Sequence, residues 1–358
     1  MTQATLTATQ ADRLLRKIRH GAKALGFADV GVSNIDLSQA EQRLLDWLGK
    51  GFHGSMSYMQ HHGVKRTRPE KLVPDTLSVL SLRMDYLPEG MDTAISVLNT
   101  PDLAYVSRYA LGRDYHKLIR KRLAQLAQII QQELETCEYR VFTDSAPVME
   151  KPIASKAGLG WVGKHSNILN REAGSWFFLG EIYLNFKLPE SPAVEGHCGE
   201  CTACIDVCPT RAIVEPYVVD ASLCISYLTI ENSGDIPLDL RKSMGNRIYG
   251  CDDCQLFCPW NRFASIAQQD DFKSRHALDS SRLNELFSWD EATFLKRFEG
   301  SPIRRIGYQS WLRNIAVALG NAPRTEQHLQ ALLARQDHPD ERVRSHIRWA
   351  IEEQTAAC

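Results

Sequence analysis

Cys198-Gly-Glu-Cys201-Thr-Ala-Cys204-Ile-Asp-Val-Cys208-Pro209 decides the fold of this chain. Three thiolates at this spacing wrap one 4Fe–4S cubane, and the fourth, set off by three residues and followed by proline, turns away to a second. Such a layout demands a reciprocal motif. It is supplied by Cys251-Asp-Asp-Cys254-Gln-Leu-Phe-Cys258-Pro259, one Cys-x2 unit short, with Cys224 between the two runs to replace the missing unit. The spacing assigns Cys198, Cys201, Cys204 and Cys258 to one cluster, and Cys208, Cys224, Cys251 and Cys254 to the other. Cys-x2-Cys pairs also bind zinc, but paired Cys-x3-Cys-Pro endings suit cubanes rather than zinc ribbons.

Working outward, eight of the ten cysteines fall in one window of a 358-residue chain. Clustered cysteines in a cytosolic protein hold metal more often than they form disulfides. Cys137 and Cys358 stand apart, as a small semi-buried residue and a frayed end. No run approaches the roughly 18 apolar residues of a membrane span. The N-terminus lacks the apolar stretch of a secretion signal, so a cytoplasmic location is expected. With 42 basic and 43 acidic residues, a general basic coat for nucleic acid is excluded, though local patches are not.

Three segments are expected. Residues 1–188 alternate helical and extended patterns, giving an α/β or α+β domain. Leu14, Ile18, Ala22 and Leu25 share a helix face, with Gly26 as a stop. Ser38 and Glu41 have the spacing of a capping box. Leu80, Leu82, Met84 and Tyr86 alternate with Ser81, Arg83 and Asp85, predicting a strand with one wet face. Asp114 caps a long helix, and Tyr139–Thr143 and Trp176–Phe186 read as extended. Residues 189–262 form a ferredoxin-like dicluster domain, folded around its metal for want of a core. Residues 263–358 are helical, with Asn321-Ala322-Pro323 and Asp337-His338-Pro339 as breaks. They fit a small HEAT-like solenoid or a plain helical cap.

Two clusters carry electrons singly, and about 180 residues ahead of them exceed what an electron carrier needs. Residues 143–168 are the candidate site for using those electrons. Asp144 ends a predicted strand, where such folds place reactive groups. Gly158, Gly160 and Gly163 flank Trp161 and Lys164 in a close-approach stretch that lacks the strand and helix of a dinucleotide fingerprint. By itself Asp144 reads as a turn or cap residue.

Several stretches resemble the epoxyqueuosine reductase family: Tyr-Ala-Leu-Gly-Arg-Asp-Tyr-His (109–116), Val-Phe-Thr-Asp-Ser-Ala-Pro (141–147), Ala-Gly-Leu-Gly-Trp-Val-Gly-Lys (157–164), Cys-Ile-Ser-Tyr-Leu-Thr-Ile-Glu (224–231), Gly-Asn-Arg-Ile-Tyr-Gly-Cys-Asp-Asp-Cys (245–254) and both cysteine motifs. The resemblance covers nearly the whole chain. It implies the last step of queuosine synthesis, reduction of an epoxide at the tRNA wobble position. It implies cobalamin between the first domain and the clusters, with contacts around Arg68, Arg108, Asp144, Lys164, Asn167, Ile168, Leu179, Ser226 and Glu231. No Asp-x-His-x2-Gly motif is present to supply a lower ligand from histidine. Asp144 matches the family's proton donor, a role expected to need a carboxyl raised well above about 3.9 by burial. A low-potential donor of flavodoxin or ferredoxin type, and a monomeric state, complete the expectation.

A tRNA substrate requires phosphate contacts. Residues 108–122 hold six Lys/Arg against one acid, and residues 296–350 ten against five. Arg304, Arg305 and Arg313 are the candidate tRNA contacts; the alternative is a solvated helix face. Three other readings stand beside this one. A reductive dehalogenase usually carries a twin-arginine signal, absent here. A ferredoxin-type carrier would bind no corrin. A zinc-stabilised RNA-binding module would hold zinc instead of iron.

Overall fold

A computed structural model describes residues 6–356; Cys358 lies outside the described residues. Along the chain run helix α1 (Ala8–Ala24), strand β1 (Asp29–Ser33), α2 (Ser38–Gly49), β2 (Ser78–Asp85), β3 (Tyr105–Val106), α3 (Tyr115–Glu133) and β4 (Tyr139–Phe142). Next come α4 (Glu150–Lys156), β5 (Trp161–Val162), β6 (Ile168–Leu169), β7 (Phe177–Leu184), α5 (Ile225–Ile230) and β8 (Arg247–Tyr249). Helices α6 (Leu283–Ser288), α7 (Gly307–Asn321), α8 (Glu326–Leu333) and α9 (Glu341–Thr355) complete the part needed here.

The first sheet is antiparallel, in the order β1-β2-β7-β4, so the mixed helix-and-sheet architecture is α+β. Its apolar residues meet α1 and α3 in one core containing Ile18, Leu82, Ile119, Leu123 and Ile182. The other face is covered by α4, which touches β1, β2 and β7. The expected wet face of β2 is therefore absent: Ser81 and Arg83 are buried. Ser81 meets this burial with a hydrogen bond to Glu181, while alternation alone could not show that a second layer lay above it.

Asp114 caps α3 as expected, accepting the His116 N–H. The Ser38/Glu41 capping box does not form. Leu37 is the N-cap, and Glu41 turns instead to Thr67 and Arg68. The β5–β6 hairpin needs Gly160, whose φ is 157°; a Cβ there would sit 2.0 Å from the Leu169 carbonyl oxygen.

The packing departs from three successive segments. β3 pairs in parallel with β8. Ala104, Val106 and Leu111 share a core with Leu228, Ile248, Trp311 and Ile347, drawn from 221–249 and the C-terminal helices. The middle segment thus borrows its core from both ends of the chain. Its second cysteine motif is anchored by Asp252, which accepts from Tyr105 Oη at 2.9 Å, Ser107 Oγ at 2.6 Å and the Arg108 N–H at 2.8 Å. The buried Arg247–Asp253 ion pair holds the next residue. No described helix is long and apolar enough to cross a membrane.

Candidate redox and proton-transfer site

Cys198, Cys201, Cys204 and Cys258 line one cavity of about 190 Å³, with His165 and Trp260. Burial and the neighbouring sulfurs of Cys258, Cys198 and Cys201 push the Cys204 thiol up to about 11. Burial raises Cys254, and the charges of Cys224, Asp252, Cys208 and Cys204 add to it; burial and then Asp253 raise Cys251. Among the described residues no set of three or more His, Cys, Asp or Glu is arranged for a single metal ion. Four sulfurs around a cavity suit a cubane.

Lys164 joins the Gly-rich hairpin to the first cysteine loop, donating from Nζ to the carbonyls of Gly199 at 2.7 Å and Cys201 at 2.9 Å. Those bonds take two of its three N–H donors and turn its ammonium toward the cysteine loop. Arg108 is likewise engaged by protein groups. It is 1% exposed, with its guanidinium on the Val106 carbonyl and Glu89. Ile168 is buried with Ala154, Leu159 and Phe177, and Arg68 is paired with Glu41. The Leu179 carbonyl accepts from Thr143 Oγ1, next to Asp144. Ser226 donates a backbone N–H toward the Cys224 sulfur.

Asp144 lies two residues beyond β4, at φ 54°, with its side chain 54% exposed. Tyr115 Oη donates to its Oδ2, and His116 Nε2 is 3.0 Å from the same oxygen. The other ring nitrogen, Nδ1, is 2.7 Å from Asp114 Oδ1. Arg305 closes the chain on Asp114 Oδ2 at 2.6 Å. Burial opposes a charge on His116, but hydrogen bonds to Asp114 and Asp144 outweigh it and raise the imidazole. Desolvation works to raise Asp144, but hydrogen bonds from His116 and Tyr115 outweigh it and hold its carboxyl below the usual range, the direction opposite to the one expected of a donor. Two donors on one oxygen favour the charged form more than burial disfavours it.

Lys151, at the start of α4, borders the charges of Cys254, Cys224 and Asp144, and donates to Asn167 Oδ1 at 3.0 Å. Glu231 and Tyr58 interact with each other and with Asp144, so these groups share one electrostatic neighbourhood. Tyr115, His116, Lys151, Glu150 and Glu181 were not singled out from sequence. The first two occupy the quoted 109–116 stretch, just after the Asp114 cap; Glu150 and Lys151 fall within the 143–168 stretch, and nothing local marks Glu181.

The two basic segments converge. Arg113, Lys117 and Lys121 face Arg304 and Arg305 across a groove of about 530 Å³. Arg313 is not part of it. It is 1% exposed, and its guanidinium donates to the carbonyls of Leu228, Asn232 and Gly234. Helical position placed it near the other arginines, but it faces the core side of α7.

Fold and site together define an iron–sulfur oxidoreductase with a carboxylate set at an open cleft. Residues 66–145 match the model of "Epoxyqueuosine reductase QueG, DUF1730", and residues 197–261 that of a 4Fe-4S double cluster binding domain. The chain is 58% identical over 340 residues to the epoxyqueuosine reductase of Pseudomonas aeruginosa, covering 95% of this chain and 94% of that one. It belongs to the epoxyqueuosine reductase family, and the dehalogenase, carrier and zinc readings give way. A crystal structure of epoxyqueuosine reductase with an epoxyqueuosine-modified tRNA-Tyr stem loop shares the fold, with TM-score 0.85 and 24% identity over 96% of this chain and 91% of that one. The Bacillus subtilis epoxyqueuosine reductase, with its catalytic aspartate loop swung out of the active site, gives 0.86 and 26% over the same shares.

Proposed function

We propose that this chain reduces epoxyqueuosine to queuosine at the tRNA wobble position, the last step of queuosine synthesis. The reaction takes two electrons and two protons, leaves an alkene and releases water. The observation that carries this reading is convergence: Asp144, backed by His116, acts on the ammonium of Lys151, on which the charges of Cys254 and Cys224 also act. Proton source and electron terminus then meet at one place.

Cys198, Cys201, Cys204 and Cys258 would hold one 4Fe–4S cluster, and Cys208, Cys224, Cys251 and Cys254 the other. Lys151, Asn167, Tyr58 and Glu231 offer donors and acceptors suited to the amide rim of a corrin. Bound cobalamin would supply a strongly reducing metal centre, recharged one electron at a time. The protein's part is to manage the proton. As the epoxide C–O bond breaks, the oxygen becomes basic. Asp144 delivers a proton drawn from the imidazolium of His116, and solvent supplies the second. The Arg113–Arg305 groove takes tRNA phosphates, and the target base leaves its stack to enter the cleft. The enzyme works as a cytoplasmic monomer, fed by a low-potential flavodoxin or ferredoxin.

The test is anaerobic incubation of reconstituted protein, cobalamin and reductant with tRNA carrying epoxyqueuosine, followed by mass spectrometry of the nucleosides. Cobalamin-dependent loss of one oxygen is expected, with Asp144→Ala slower by about a hundredfold or more. Wild-type turnover in Asp144→Ala would remove the donor assignment. No oxygen loss from protein shown to hold both iron and corrin would assign a different substrate.

A further inference from the structure

We infer that Glu150, braced by Glu181, is a positioning residue that latches the Asp144 loop by holding the Asp144 backbone N–H. The inference rests on the reading of Asp144 as the acid. β4 ends at Phe142, whose partner across the ladder is Glu181 on β7. Glu181 is 0% exposed, beneath α4, and receives Ser81 Oγ at 3.3 Å, while its Oε2 has no donor. Facing it is the carboxyl of Glu150, the first residue of α4. Burial and the Glu150 carboxyl favour a proton on Glu181, which gives the orphaned Oε2 its partner.

Glu150 Oε1 in turn accepts the Asp144 N–H at 2.5 Å. Asp144 needs this restraint. Its φ of 54° lies in a region that residues with a Cβ rarely adopt unaided. The neighbouring tethers are Ser145 N–H on the Thr143 carbonyl and Thr143 Oγ1 on Leu179. An acid pair between the sheet and α4 serves no packing purpose, but it does place a charge-bearing acceptor beside the loop.

Around the pair stand Tyr183 on β7, Tyr115 and His116 on α3, Lys151 on α4 and Asp144 itself, with the uncharged Ser81 on β2. Burial and then the Asp144 charge raise Glu150, whereas the hydrogen bonds from the Asp144 N–H and from Glu181 favour its charged form; burial and then Glu150 raise Glu181. The Asp144 N–H is therefore held best by an ionised Glu150 that a protonated Glu181 supports from below.

Hydrogen exchange of the 143–149 peptide in the holoenzyme tests this without relying on turnover. In Glu150→Ala the Asp144 amide is expected to exchange on the order of tenfold faster. Glu150→Gln, which keeps an acceptor oxygen, restores protection. Glu181→Gln, whose amide still donates to Glu150, keeps wild-type protection. Unchanged protection in Glu150→Ala overturns the latch; if that variant does not fold, unchanged protection in Glu150→Asp, whose shorter side chain withdraws the acceptor, does so. Turnover in Glu150→Ala is expected to fall by about a hundredfold. Faster exchange with full turnover would uphold the latch and instead remove Asp144 as donor.

Discussion

The Asp144 carboxyl is held below the usual range by what touches one oxygen. Tyr115 and His116 both point at Oδ2, and His116 is itself gripped by Asp114. The signs of these shifts define a pH window. His116 is raised, so its contribution to folding is complete below its ordinary value near 6.5 and is lost as pH climbs through the raised one. Asp114 and Asp144 are lowered, so theirs is present above about 3.9 and lost as pH falls through their folded values. The trio is most stabilising between about pH 4 and 6.5. In His116→Gln the wild-type decline of thermal midpoint between about pH 6.5 and 8 should flatten. A decline as steep as in wild type would show that His116 holds no extra proton.

Helix α7 is built around a buried arginine. Arg313 spends its guanidinium on the carbonyls of Leu228, Asn232 and Gly234, and so props the loop that follows Cys224 and α5. Asn314 holds the same region from the adjacent position, through the Thr229 and Ile248 carbonyls. Arg313→Ala would strand buried carbonyls and open a void. A loss of about 3–5 kcal/mol in denaturant unfolding is expected, with altered cluster content. A change in tRNA affinity at unchanged stability would return Arg313 to the phosphate-binding set.

At the scale of the molecule, a chain of net charge −1 gathers cations from positions nearly 200 residues apart into one groove. Phosphate contacts made there are sequence-independent and salt-sensitive. Lys117→Ala, Lys121→Ala and Arg304→Ala should each weaken binding of a tRNA anticodon stem loop. Each should reduce the slope of log affinity against log salt by about one, with iron content unchanged. Salt slopes equal to wild type in all three would place the tRNA elsewhere.

The same molecule shows which statements the chain makes locally. Cluster ligation is written in spacing: wrapping a cubane depends on neighbours two and three residues apart, so the two sets of four could be proposed from sequence. Helix α3 and its Asp114 cap are local for the same reason, as are β4 and β7. What required the tertiary structure is everything set by contact across layers. The wet face of β2 vanished because α4 covers it. Glu41 left its cap for Thr67 and Arg68. Arg108, Lys164 and Arg313 matched a motif or a basic run, yet each points at backbone carbonyls. The lowered Asp144 and the acid pair beneath it depend on partners from α3, α4 and β7. Charge state follows from the sum of desolvation and neighbouring charges, and the chain supplies that sum only once folding has brought those neighbours together.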